Sequence, residues 1–130
     1  MTRDVKEQLK YELKYGVYKY IYKDEVIYVG KSDRAKKGKG IIQRIQDHTR
    51  ENEFIPYLKD AKVMYLSMTS CVDDVDLAEK GLIAQYCPIL NISCKPERKS
   101  TFDYDAFFQL QTGNRWKEVK EEYLHLYDIP

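Results

Sequence analysis

A chain of 130 residues with 43% hydrophobic side chains is one domain by length and long enough to bury a core without staples. Its 22 basic and 21 acidic side chains nearly cancel, so overall charge announces no polyanionic partner. No apolar run approaches membrane-spanning length, the N-terminus lacks a signal-peptide core, and three cysteines without a Cys-x-x-Cys pair suggest neither a disulfide framework nor a zinc site, which predicts an intracellular, cytoplasmic protein.

Residues 3–14 are good helix formers with Val5, Leu9 and Leu13 at helical spacing, predicting a short amphipathic helix docked on the domain. Tyr15 to Tyr22 has a strand composition, Lys23-Asp24-Glu25 a turn, and Val26 to Gly30 a returning strand. Lys31 to Gly40, with two glycines and five basic residues, is predicted to be a mobile loop. A helix should run from Gly40 to about Asn52, and a third strand from Ala61 to Thr69. Asp73 or Asp74 can cap the next helix, which passes through Val75, Ala78, Leu82 and Tyr86 and stops before Pro88. The tail predicts a helical segment over Phe102–Gln111 with its start at Ser100 or Thr101, a break at Gly113-Asn114, and a last helix near Arg115–Tyr127. Together these elements predict a small α+β domain whose first two strands are antiparallel.

Charge is unevenly spread. From Lys31 to Arg50 seven basic residues face two acids, a local stripe suited to a polyanion along one face. Arg34, Lys36, Lys37 and Lys39 are its candidate nucleic-acid contacts; alternatively they form a solvated loop.

Gly16-Val17-Tyr18 and Tyr28-Val29-Gly30 lie ten residues apart, and a hairpin between them would set two phenols side by side. A phenol has a reference pKa of about 10 and becomes a base only where cations favour phenolate; Lys31 can supply one such charge. Arg44 and His48 stand four apart, one helical turn, on the face that holds Ile41 and Ile45, and so are expected to turn inward. A guanidinium fork suits a phosphate, and an imidazole can relay a phenol's proton. Glu79 falls inside the apolar stripe of its helix, where a carboxylate must pair, protonate or bind a metal. One carboxylate plus waters and substrate phosphate is a common way to hold magnesium. Each residue alone has a plainer reading: sheet packing for the tyrosines, snorkelling for Arg44, a carbonyl partner for His48, a salt bridge for Glu79. Phosphodiester hydrolysis asks for a base, cationic groups and usually a divalent ion, and the set offers a base, cations and a carboxylate that could hold the ion.

The two triplets, Arg44 with His48 on one helix, Glu79 on the next, and Asn91 after Pro88-Ile89-Leu90 resemble a GIY-YIG nuclease domain, with valine for isoleucine in both triplets. The match covers roughly residues 15–91, leaving 95–130 as a helical C-terminal extension of a single domain spanning 1–130. The resemblance implies a three-stranded antiparallel sheet flanked by helices and a DNA endonuclease using one magnesium or manganese ion. It implies Tyr18 as general base assisted by His48, Tyr28 orienting water or phosphate, and Arg44 stabilising the pentacovalent phosphate. It further implies Glu79 as metal ligand, Lys31 supporting charge near the tyrosines, and Asn91 bracing the site. The expected products carry a 5′-phosphate and a 3′-hydroxyl. The DNA could be branched or site-specific, and the enzyme a monomer or a dimer. The alternatives are an inert module of the same fold that binds nucleic acid or a protein, and a small-molecule site among the tyrosines. The aromatic residues of the tail are expected to close the core or form a dimer face.

Overall fold

The computed structural model describes residues 1–33, 38–68, 71–92 and 95–129. Strand β1 (Gly16–Tyr22) pairs antiparallel with β2 (Glu25–Ser32) and β3 (Lys62–Ser67), so it is the central rib of the sheet. A two-residue loop joins β1 to β2, with Lys23 and Asp24 both at positive φ (48° and 63°), the geometry that suits the strands' right-handed twist. A bulge between Tyr20 and Ile21 shifts the register, after which Tyr20 faces Tyr28 and Tyr18 faces Gly30. β2 therefore runs two residues past the predicted end at Gly30 and includes Lys31.

Period-two alternation divides the core between the sheet's faces. One face buries Tyr18, Tyr20, Ile27 and Tyr65 with Leu13 and with Ile41, Ile42 and Ile45 of helix α2 (Ile41–His48). Helix α1 (Arg3–Glu12) lies on the same side, with Leu9 against this cluster and the Tyr65 hydroxyl donating to Glu12 at 3.1 Å. The other face buries Val17, Val29 and Leu66 against Val75, Ala78, Leu82 and Ile83 of α3 (Val72–Tyr86) and Phe108 of α4 (Tyr104–Thr112).

Several predicted boundaries moved. α2 ends at His48, not near Asn52, because the chain continues as successive turns to Asp60 that tuck Phe54 beneath the sheet. α3 is entered from Cys71, with Asp73 and Asp74 in its first turn rather than at the cap, where their charge favours the positive end of the helix dipole. Asp103 caps α4 by accepting from the Ala106 N–H.

Among the described residues the sheet has four strands rather than three, in the order β2-β1-β3-β4 with β4 at Lys117–Glu118. The predicted last helix is instead β4 (Lys117–Glu118) followed by a 3-10 turn at Glu121–His125. The open edge of β3 explains the difference: it pairs Met64 and Tyr65 with Glu118 and Lys117, and Val63 accepts from the Val119 N–H. An edge of unpaired backbone groups outbids a marginal helical pattern. No described helix is long and apolar enough to cross a membrane.

The extension is bound through a buried charge. Lys19, which alternation turns away from the tyrosines, meets Asp105 of α4 at 2.9 Å with both side chains about 10% exposed. Tyr86, Trp116 and Gln109 also donate to Asp105, and the Lys19 ammonium lies 4.1 Å from the Trp116 ring centre. Burial alone would raise the Asp105 pKa; the hydrogen bonds from Tyr86 and Lys19 and the lysine charge outweigh it and hold the carboxyl low.

Candidate active site

The two glycines of the triplets are explained by what a side chain would strike. Gly16 sits at φ +151°, and a Cβ there would lie 2.2 Å from the Leu66 carbonyl oxygen on β3. Gly30 has an ordinary φ, but its Cβ would lie 2.3 Å from Cζ of Tyr18. The Tyr18 ring thus covers the place where a side chain at Gly30 would stand.

Tyr18 is fully buried, and its hydroxyl is 2.7 Å from Nε2 of His48, the last residue of α2. His48 is held by aromatic rings: Phe54 stacks on it at 4.1 Å and 16°, while Tyr28 and Tyr20 meet it edge-on at 4.9 and 5.7 Å. Tyr28 and Tyr18 have ring centres 6.1 Å apart, so the hairpin does set the two phenols side by side. Burial lowers the pKa of His48 despite the Glu51 carboxylate nearby, leaving a neutral imidazole with one accepting nitrogen. Burial, then Tyr28, push the Tyr18 pKa well up, and Arg44 opposes the rise. Tyr28 is raised by burial and the charge of Glu79, with Arg44 again opposed. A free Tyr18 phenolate is therefore disfavoured.

Arg44 departs from the expected inward orientation. It is exposed and reaches the Tyr18 hydroxyl from the flank of α2, while Ile41, Ile42, Ile45 and His48 take the buried face. Lys31 lies on the opposite sheet face from the phenols, since alternation separates it from Tyr28 and Gly30. It pairs with Asp76 at 2.6 Å and Asp33 at 3.1 Å, and its charge bears on Glu79.

Glu79 is half-buried on α3, with no hydrogen-bond or ion-pair partner among the described residues. Burial raises its pKa, Lys31 opposes this, and Asp76 and Asp33 add to it. Glu79 and Tyr28 line one open cavity of about 380 Å³ together with Glu51, Glu53, Phe54 and Asn91. The Asn91 amide grips the outer edge of β2, accepting from the Val29 N–H and donating to the Val29 carbonyl, both at 2.9 Å. A second cavity of about 210 Å³ is lined by Lys31, Ser32, Gly40, Gln43 and Arg44. Lys39 is half-buried, 6.0 Å from the Tyr127 ring centre; Arg34, Lys36 and Lys37, within the predicted loop, lie outside the described residues.

Among the described residues no group of three or more His, Cys, Asp or Glu side chains is arranged to hold a metal ion. A site built on Glu79 alone must draw its remaining ligands from water and substrate, which is magnesium's habit. An unpartnered carboxylate at a cavity wall fits that role.

Phe54 and Glu51 escaped the sequence reading. Both follow the last residue of α2, where no periodicity points to an imidazole.

No family model matches the sequence, and no curated protein matches it. Among solved structures the chain is similar to the GIY-YIG N-terminal endonuclease domain of UvrC from Thermotoga maritima, bound to its catalytic magnesium. That likeness has a TM-score of 0.51 at 19% identity and covers 71% of this chain and 100% of that domain. A Tyr-to-Phe and an Asn-to-Ala variant of that domain, each bound to the catalytic divalent cation, give the same TM-score at 18% identity, covering 71% of this chain and 99% of theirs. At such identity the likeness is one of architecture: this chain has the fold of a GIY-YIG endonuclease domain.

Proposed function

We propose that the protein is a metal-dependent DNA endonuclease with its site between β1, β2, α2 and α3. The observation that carries the reading is the buried 2.7 Å contact between the Tyr18 hydroxyl and His48 Nε2, with Tyr28 beside it on the wall of the cavity that holds the unpartnered Glu79. Because burial disfavours a standing phenolate, Tyr18 takes the water proton as it gives its own to Nε2 of His48. The water oxygen bonds to phosphorus, the bond from phosphorus to the 3′-oxygen breaks, and that oxygen is protonated from solvent. His48 is left as imidazolium, and the products carry a 5′-phosphate and a 3′-hydroxyl.

Tyr28 orients the water or phosphate, and Arg44 spreads its positive charge over the phosphoryl oxygens. Glu79 would hold magnesium or manganese, which when bound supplies positive charge at the leaving oxygen. Lys31 acts on Glu79 through charge and leaves the phenols to Arg44. Asn91 fixes the backbone of β2 beside Tyr28. The flanking basic residues Arg34, Lys36, Lys37 and Lys39 follow the DNA backbone. Residues 1–130 act as one unit, in which 15–91 carry the chemistry and 95–130 support it from behind, in the cytoplasm.

The test is cleavage of supercoiled plasmid and of a branched oligonucleotide with magnesium, manganese or EDTA. Wild type should cleave only with metal, and Glu79→Ala not at all. Magnesium should raise the melting temperature of wild type and not that of Glu79→Gln. DNA binding without cleavage under any metal would replace this reading with the inert module.

A further inference from the structure

Glu51 begins the turns that carry the chain away from α2, its N–H donating to the His48 carbonyl at 3.1 Å. This brings its carboxylate against the side of the imidazole that faces away from Tyr18. Oε2 of Glu51 lies 3.2 Å from Nδ1, in a bent contact that leaves Nδ1 buried without an in-line hydrogen bond. Phe54 stacked on the ring, with Tyr20 and Tyr28 at its edges, prevents the imidazole from turning over.

A neutral imidazole carries one proton, and its place decides what the other nitrogen can do. With the proton on Nε2, the Nδ1 lone pair would face a carboxylate oxygen at 3.2 Å, two acceptors in contact. Tyr18 would then have to accept from His48 and send its own proton elsewhere. With the proton on Nδ1, its partial positive charge lies 3.2 Å from the Glu51 carboxylate, which favours it there, and the Nε2 lone pair is open to the Tyr18 hydroxyl. The other groups around His48 are the Tyr18 and Tyr20 hydroxyls of β1, that of Tyr28 on β2, and Arg44 and Asp47 on its own helix. Among the described residues, Glu51 is the only carboxylate within 4.0 Å of a ring nitrogen of His48.

We infer that Glu51 is a positioning residue: its carboxylate holds His48 in the Nδ1–H tautomer and so makes Nε2 the acceptor of the Tyr18 proton. The inference rests on the reading of Tyr18 and His48 as the proton-accepting pair of a nuclease. The Glu51 side chain is 44% exposed, so replacing it removes the charge without opening the core.

The chain has two histidines, and His125→Gln leaves one to observe. Two-bond nitrogen–proton correlation spectra of the full chain, labelled with nitrogen-15 in the imidazole, report which ring nitrogen is protonated. Above the His48 pKa the wild type should show the Nδ1–H tautomer. Glu51→Ala should move it toward Nε2–H, the form free neutral histidine prefers. Glu51→Gln, whose amide oxygen still accepts, should keep Nδ1–H. An Nε2–H tautomer in the wild type, or an Nδ1–H tautomer that survives Glu51→Ala, overturns the inference. In the cleavage assay Glu51→Ala should lower kcat roughly 10- to 100-fold with KM little changed. A wild type that cleaves no DNA would overturn the nuclease reading, while the spectra decide the role of Glu51 separately.

Discussion

Gly30→Ala isolates the geometry of the site from its chemistry. The backbone at Gly30 tolerates alanine, because its φ lies outside the left-handed region. The new methyl, however, would stand 2.3 Å from Cζ, 2.4 Å from Oη and 2.8 Å from Cε1 of Tyr18. Carbon atoms in contact prefer roughly 3.5–4.0 Å, so the ring must retreat by more than about 1 Å. It has nowhere easy to go: Tyr18 is fully buried, with the Tyr28 and Tyr20 ring centres at 6.1 and 6.2 Å. The retreat would carry the hydroxyl off His48. Overpacking of this kind costs about 1–3 kcal/mol, and a displacement of ~1 Å at a reacting group costs roughly 100-fold in rate. Urea denaturation and plasmid cleavage read the two effects, with DNA binding retained. Tyr18→Leu removes the atoms that collide, so adding Gly30→Ala in that background should cost little stability. A Gly30→Ala protein that cleaves at the wild-type rate, or an equal stability loss in the Tyr18→Leu background, would refute the reasoning.

Burial keeps His48 below its ordinary pKa of 6.5, so the folded state binds fewer protons than the unfolded chain as pH falls through that value. Its contribution to stability is therefore intact above about pH 6.5 and lost below it; urea midpoints from about pH 8 to 5 should fall, and less so in His48→Gln. The activity of the proposed nuclease should decline on the same acid side, since imidazolium cannot accept the Tyr18 proton. Asp105→Ala strands Lys19 in a site about 10% exposed and should cost about 3–5 kcal/mol. Lys19→Met with Asp105→Leu should recover much of that in urea melts; an Asp105→Ala protein as stable as wild type would remove the charge pair as the anchor of α4.

What the sequence made legible follows from periodicity. Alternation along Tyr18-Lys19-Tyr20 foretells two phenols on one face, and the spacing of Ile41, Ile45 and His48 foretells the helix that meets them. The same alternation, carried past Gly30, would have moved Lys31 away from the phenols; the early end assigned to β2 hid that. Contacts without a period stayed out of reach. Phe54 stacks on His48 only because the chain turns after α2, and Lys19 meets Asp105 across 86 residues. The predicted last helix failed for a related reason: the edge of β3 is created by the fold, and a local pattern carries no record of it.

Asn91 gives the sheet an unusual border. Its one amide meets the N–H and the carbonyl of Val29 at once, and the Leu90 N–H donates to the Ile27 carbonyl just before it. That stretch of β2 ends against a side chain and a single crossing peptide, which stand in for a neighbouring strand. A second chain cannot extend the sheet by pairing at Ile27 and Val29 without first evicting them, so growth of the sheet is blocked at the rim where Tyr28 faces the cavity. The selectivity is chemical as well as steric: aspartate in that place would offer two acceptors to a site that needs one acceptor and one donor.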